Sequence, residues 1–374
     1  MIKRIFLVFS LTIITSSSFA QIVDTAHAAQ SAEQHEQVSP LSISGYVDAY
    51  YASYTDSVGN GNFQKFPTTS PRSNSLGLNL AMITVKYATE KVRATVSLHY
   101  GDIVLSSWAP APYSFLQEAH IGVRLHKKLW LDAGFFRTHI GTEGLYAKEN
   151  ITSSVAVGTF NEPYYEAGAR LNYSPSDKLA FSFYLLNGYN LYVDNNKKKS
   201  FGMLATYAFN DDLNIGYSNY IGDDSPTGDT MTHTRVYQNF FLNFQKNRIK
   251  LQVGGDYGMQ QNSDSTGKKT ATMFSALATV RYAITSKFGV YTRGEIFNDP
   301  TGFLAGKFID KTGHHTGYKL WGATLGFEYK PTDNSYVRLE GRQLQCDANQ
   351  QIFRWNGKNT NIRQEIMIHM GFYF

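Results

Sequence analysis

The chain has 374 residues, 35 of them Lys or Arg and 30 Asp or Glu, for a formal charge of +5; only 17% is charged, and 25 Tyr and 25 Phe stand beside a single Cys. One Cys excludes a disulfide-stapled miniprotein, and so many aromatic residues exclude a disordered chain. Nothing after residue 20 offers about 18 consecutive apolar residues, which excludes a helical membrane bundle, and the near balance of charge argues against a nucleic-acid partner.

At the start, Lys3 and Arg4 precede an apolar stretch from Ile5 to Ile14, and Ser18-Phe19-Ala20 places small residues where a signal peptidase reads. The pattern predicts a signal peptide over 1–20, cleaved between Ala20 and Gln21. Its removal takes two basic residues and lowers the charge from +5 to +3. No Cys follows, so no lipid anchor is expected. Residues 21–40 contain no aromatic side chain and read as a flexible periplasmic extension, too short for the plug of a TonB-dependent transporter.

From Leu41 onward the dominant pattern has period two, the signature of strands with two unlike faces. It predicts sixteen strands, near 42–54, 74–87, 91–102, 114–126, 128–139, 162–174, 178–189, 199–210, 212–222, 231–245, 248–259, 270–284, 287–298, 317–330, 334–345 and 360–374. In the last of these Ile366, Ile368, Met370, Phe372 and Phe374 share one face, while Arg363, Glu365, Met367 and His369 share the other. The second strand changes phase between Leu80 and Ile83, and a bulge near Met82 would reconcile its halves.

A soluble sandwich also alternates, so the connections decide the class. Every second one is tight, as at Lys127, Asp211 and Lys246-Asn247, and the others are long and rich in Gly, Asn, Asp, Ser and Thr. Short turns at one rim and long loops at the other predict an all-β transmembrane antiparallel barrel, with periplasmic turns and extracellular loops. An even strand count closes the sheet and removes the edges that lipid does not tolerate. Tyr50, Tyr51, Tyr54, Tyr87, Tyr173, Tyr207, Phe209, Tyr282 and Tyr329 fall near strand ends and read as two aromatic girdles. Residues 41–374 therefore form the predicted outer-membrane barrel, in contact with outer-membrane lipid.

The stretch Pro163-Tyr164-Tyr165-Glu166-Ala167-Gly168-Ala169-Arg170-Leu171-Asn172-Tyr173, the later Leu185-Leu186-Asn187-Gly188-Tyr189 and the early Gly45-Tyr46-Val47-Asp48-Ala49-Tyr50-Tyr51 resemble the OmpL-like β-barrel porin family of Gram-negative bacteria. That resemblance implies outer-membrane pores, as monomers or as a homo-oligomer, without a defined substrate. The ending Gly371-Phe372-Tyr373-Phe374 resembles the C-terminal insertion signal of outer-membrane proteins, which implies that the barrel-assembly machinery reads Phe372 and Phe374.

With the apolar face on lipid, the opposite face carries Arg93, Glu118, Arg124, Glu166, Arg170, Arg293, Glu295, Arg338, Glu340 and Arg342 into the lumen, together with Asp48, Asp132, Arg235, Lys250, Asp256, Arg281, Glu328, Arg363 and Glu365. A barrel of this size leaves a water-filled channel unless something plugs it, so passive diffusion of small hydrophilic solutes or ions is the expected function. The competing expectation is a structural or surface-binding barrel whose loops close the lumen. The third long connection, from Ile140 to Asn161, carries Glu143, Tyr146, Lys148 and Glu149 and then a small apolar run. Its position after the fifth strand resembles the inward-folded third loop that narrows general porins, which implies a constriction loop; its plainer reading is an ordinary surface loop. The first loop, with Gly59-Asn60-Gly61-Asn62, reads as mobile and polar.

An enzyme is not expected. The sequence has no G-x-S-x-G, no H-E-x-x-H and no phosphate loop. His99, His120, His139 and the pair His314-His315 read as network or loop residues, Cys346 as a bystander in the last loop, and no metal or cofactor is expected.

Overall fold

The computed structural model describes residues 39–374 except 57 and 226. The expected signal peptide and nearly all of the N-terminal extension lie outside the described residues. The first eight barrel strands are β1 (Leu41–Tyr54), β2 (Leu76–Ala88), β3 (Val92–Tyr100), β4 (Leu116–His126), β5 (Leu129–Arg137), β6 (Tyr165–Tyr173), β7 (Leu179–Leu186) and β8 (Ser200–Asn210). The second eight are β9 (Leu213–Asp223), β10 (Thr234–Lys246), β11 (Ile249–Gln260), β12 (Ala271–Ala283), β13 (Phe288–Asn298), β14 (Lys319–Tyr329), β15 (Ser335–Cys346) and β16 (Ile362–Tyr373).

Each strand pairs with its neighbours in sequence, and β16 pairs back onto β1 to close the barrel. The closing ladder ends where the Gly45 N–H donates to the Phe374 carbonyl at 3.0 Å and the Phe374 N–H donates to the Gly45 carbonyl at 3.1 Å. Closure satisfies inside the sheet the backbone groups that lipid cannot satisfy. Short turns and long loops alternate around the wall as the sequence predicts. In the tightest turns the chemistry is local: between β10 and β11, Asn247 takes a φ of 52°, a conformation that Asn tolerates and that tight hairpins require.

The outer face is apolar and the inner face polar. On β16, Ile366, Ile368, Met370 and Phe372 are exposed, whereas Arg363, Glu365, Met367 and His369 are buried within the barrel. Tyr51, Tyr87, Tyr173, Tyr207, Phe209, Tyr282 and Tyr329 lie on the outside near strand ends. Tyr50 and Tyr54 do not join them: both point inward and are buried, where their hydroxyls bond to Asp102 and to the Ser70 carbonyl.

The bulge in β2 lies at Asn79 rather than near Met82, because Asp48 faces Leu80 and Ala49 faces Leu78. Asn79 turns inward to donate to Asp48 Oδ2 at 2.8 Å, and Leu80 follows it into the interior. The period-two pattern also gave no sign of α1 (Asp102–Ser107), which packs on β2 and β3. Two short hairpins, Phe308–Ile309 with His315–Thr316 and Phe353–Trp355 with Lys358–Thr360, also lie within the long loops. Cys346 is not a loop residue: it ends β15, buried against Leu344, Phe353 and their neighbours. The first loop is packed rather than loose, with Phe66, Thr68, Thr69 and Ser70 buried.

Candidate functional site

The third loop, residues 138–164 between β5 and β6, lies inside the barrel. Its hydrogen bonds run to the far wall. Glu340 on β15 accepts from the Ser153 N–H at 2.7 Å and the Ser154 N–H at 3.1 Å, and the Ser154 hydroxyl bonds to the same carboxylate. Glu295 on β13 accepts from the Val157 N–H at 2.7 Å. In the other direction, Arg338 donates to the carbonyls of Ala147 at 2.7 Å, Thr152 at 3.0 Å and Asn150 at 3.1 Å, and Arg293 donates to the Ser154 carbonyl at 2.7 Å. On β11, Gln252 donates to the Thr142 carbonyl at 2.8 Å. Gly254 makes room for that approach, because a Cβ there would stand 1.8 Å from Thr142 Oγ1.

Within the loop Glu143 is the organising group. It pairs with Arg293 at 3.1 Å and accepts from the Ala156 N–H at 2.7 Å, which folds the chain from 143 to 156 back on itself. Glu149 pairs with Arg137, the last residue of β5. Tyr146 shares a 2.8 Å hydrogen bond with His99 on β3, and the Lys148 ammonium sits 4.9 Å from the Tyr46 ring centre. Glu162, at the end of the loop, is buried near Asp256 and Glu143; burial first, and then those two carboxylates, hold its carboxyl well above the usual carboxylate range.

The wall on the β3–β6 side is built differently. Asp132 on β5 is fully buried and accepts from Arg93 at 2.8 and 2.6 Å and from Arg170 at 3.3 Å. The Arg93 and Arg124 guanidinium groups lie 4.5 and 4.9 Å from the centre of the Trp130 ring. Arg170 lies 4.5 Å from that of Phe136. Glu118 sits 3.5 Å from His120 on the same strand, and Glu166 holds His139 at 2.8 Å. Cation–π contacts with ring faces leave part of each guanidinium open to the lumen while fixing its direction.

The sequence matches the model of the family described as "Putative beta-barrel porin-2, OmpL-like" over residues 40–374. The chain belongs to that family. It is an outer-membrane porin, a barrel through which small hydrophilic solutes pass by diffusion. No curated protein matches its sequence. Solved porins share its fold at low identity. The outer-membrane channel DcaP of Acinetobacter baumannii is 10% identical with a TM-score of 0.60, covering 89% of this chain and 97% of its own. The anion-selective porin from Comamonas acidovorans is 10% identical with a TM-score of 0.57, covering 89% and 99%. OmpT of Vibrio cholerae, described in a trimer form, is 11% identical with a TM-score of 0.54, covering 89% and 99%.

In this porin the residues singled out from sequence fall into two groups. Arg293, Glu295, Arg338 and Glu340 meet the third loop on one wall, Arg293 through Glu143 as well. Glu295 also binds Arg342, at 2.7 Å. Arg93, Arg124 and Arg170, with Glu118, occupy the other wall, and Glu166 anchors the start of the loop through His139. Phe372 lies outside, and the Phe374 ring covers Gly45 at the seam.

Sequence reasoning missed one constellation. Ser70 Oγ is 2.7 Å from His369 Nε2, and His369 Nδ1 is 2.9 Å from Asp48 Oδ2. The order hydroxyl, imidazole, carboxylate matches a nucleophile with its base and orienting acid. All three side chains are fully buried, however, and Asp48 also accepts from Asn79 and Tyr336. The arrangement pins the first loop to the β1–β16 seam. It joins residues far apart in sequence, so no local motif could signal it. Among the described residues no group of three His, Cys, Asp or Glu is placed to hold a metal.

Proposed function

We propose that the third loop is the constriction of this porin, and that solutes are sorted there by size and charge on their way between the long-loop and short-turn rims. The observation that carries this reading is the loop's anchorage inside the barrel, with both N–H and C=O groups of 147–157 bound to β13 and β15. Arg93, Glu118, Arg124 and Arg170, half-buried on the opposite wall, are the pore-lining groups of the reading, and Tyr146, Lys148 and Glu149 are its loop-borne counterparts. No chemical step is needed, and the protein acts without a cofactor and not as an enzyme.

The same reading takes residues 1–20 as a signal peptide cleaved at Ala20-Gln21 and 21–40 as a periplasmic extension. The barrel-assembly machinery is its biogenesis partner, reading Phe372 and Phe374. A homo-oligomer fits the trimer form described for the Vibrio cholerae protein. Single-channel recording of the refolded protein in a planar bilayer tests the function. Stable discrete steps are expected; a folded barrel without steps would instead favour a loop-closed surface-binding barrel.

A further inference from the structure

Above the third loop, the long-loop rim encloses a cavity of about 590 Å³ between the connections that follow β9, β11 and β13. It is tied to the constriction from below. The Tyr189 hydroxyl donates to the Asn161 carbonyl at 2.6 Å, and the Arg235 guanidinium rests 4.3 Å from the centre of the Tyr189 ring. Arg235, on β10, is held a second time where its Nε donates to Gln260 Oε1 at 2.8 Å. Ring and amide together fix the direction of the guanidinium. Its terminal nitrogens make no hydrogen bond among the described residues, and Nη1 stands 3.5 Å from Asp224 Oδ2. That gap is wider than the about 2.7–2.9 Å of a charge-assisted hydrogen bond. Asp224 Oδ2 is buried with no hydrogen-bond partner among the described residues, while Oδ1 is taken by the Tyr189 N–H at 3.1 Å and by the Tyr220 hydroxyl. A cation with unused donors and a carboxylate with an unused oxygen thus stand side by side.

The rest of the lining is mixed. Gln260, Asn262 and Ser263 bring amides and a hydroxyl, and half-buried Phe303 brings an apolar surface. Phe303 sits on a braced turn, because buried Asp299 accepts from the N–H groups of 303, 304 and 305 at 3.2, 3.0 and 2.9 Å. Exposed Lys307 also lines the cavity, as does His233, which faces Asp229 at 3.4 Å, and Asp264, which accepts from the Lys268 and Lys269 N–H groups at 3.0 Å. An anion placed on Arg235 would meet the Asp224 carboxylate at the same time. A hydroxyl gives one proton to an acceptor and takes protons from donors, so it bridges the pair. Adjacent hydroxyls on one ring repeat that demand, and this lining is more polar than that of an ordinary small-molecule pocket of its size. We propose that the cavity is a binding subsite for a small neutral saccharide at the outer mouth of the channel, with Arg235 and Asp224 bridging ring hydroxyls and Phe303 receiving the C–H face of the ring. Binding does not depend on conduction; the subsite's role as an entry station rests on the open-channel reading, since it places solute immediately above the third loop.

Saturation-transfer NMR on the refolded barrel in detergent tests the site, with sucrose and glucose as probes and inorganic phosphate as competitor. Transfer to at least one sugar is expected, and phosphate at equal concentration leaves it unchanged. Asp224→Asn and Phe303→Ala each weaken sugar binding at least about fivefold. Asp224→Asn keeps an acceptor for the Tyr220 hydroxyl, heat-modifiability on gels checks the folding of both variants, and where one fails to fold the other decides. No transfer to either sugar, binding unchanged in a folded variant, or displacement by phosphate overturns the saccharide site. Planar-bilayer recording separates this from the pore itself. Discrete steps without sugar binding overturn the site and leave the pore, whereas sugar binding to a barrel without steps keeps the site and overturns the pore.

Discussion

Glu340 offers the cleanest way to release the third loop, because its partners are neutral donors: the N–H groups of Ser153 and Ser154, the Ser154 hydroxyl and the Tyr291 hydroxyl at 3.0 Å. Replacing it by Ala removes these bonds without stripping a salt-bridge partner from any arginine. At about 1–1.5 kcal/mol net for each such bond, the four contribute roughly 4–6 kcal/mol, and water entering the vacated space returns about half. The remaining loss of about 2–3 kcal/mol raises the undocked fraction of residues 153–154 by roughly 30- to 140-fold. Val155 reports it directly, since it is fully buried. In a Cys346→Ser background, Val155→Cys is expected to react with a small thiol reagent roughly 30- to 140-fold faster once Glu340→Ala is added, as the reactive population rises in proportion to opening. Single-channel records of the same variant are expected to show larger current noise, while barrel melting stays unchanged. A labelling rate equal to that of the parent would show that the loop is not held by these bonds, and the constriction reading would lose its anchor.

Other perturbations probe different parts of the wall. Asp132→Asn leaves Arg93 and Arg170 without their shared carboxylate and is expected to cost about 3–5 kcal/mol by urea unfolding, the scale of breaking a buried pair; a loss under about 1 kcal/mol would mean that lumenal water screens the cluster. Gly254→Val forces the wall against Thr142 and is expected to raise open-channel noise with normal assembly on heat-modifiability gels. Because the Glu162 carboxyl titrates above the usual range, its neutral form favours loop docking at low pH, and that contribution is lost as pH rises through its folded pKa. The Val155→Cys labelling rate should therefore climb with pH beyond the reagent's own dependence, and Glu162→Gln should remove the excess. Ser70→Ala should free the first loop to proteolysis; labelling of Ser70 by a fluorophosphonate would instead reveal an open, hydrolytic Ser70–His369–Asp48 site.

What could be read in advance follows from which forces are local. Strand phase is imposed by two solvents, lipid and water, acting on alternate residues, so Ile366 to Phe372 and Arg363 to His369 declare their faces without knowledge of any neighbour. Tight turns declare themselves through residues such as Asn247. The bulge at Asn79 was visible only as a phase change, because its position depends on Asp48 attracting the amide from the next strand. Tyr50 and Tyr54 looked like girdle residues for the same reason: a ring near a strand end is ambiguous until a partner such as Asp102 or Ser70 is known to lie inside. The α1 helix and the loop packing depend on contacts between distant segments and leave no periodic trace.

The division of labour among the lumenal charges links these observations. At the level of the third loop, Glu340, Glu295 and Glu143 are occupied by the N–H groups of 153, 154, 157 and 156, while Arg338 and Arg293 are occupied by the carbonyls of 147, 150, 152 and 154. Both signs there serve to hold backbone, so they fix the shape of the passage more than its charge. The constriction at this level is therefore a matter of shape, which is why Glu340→Ala should alter flicker and labelling.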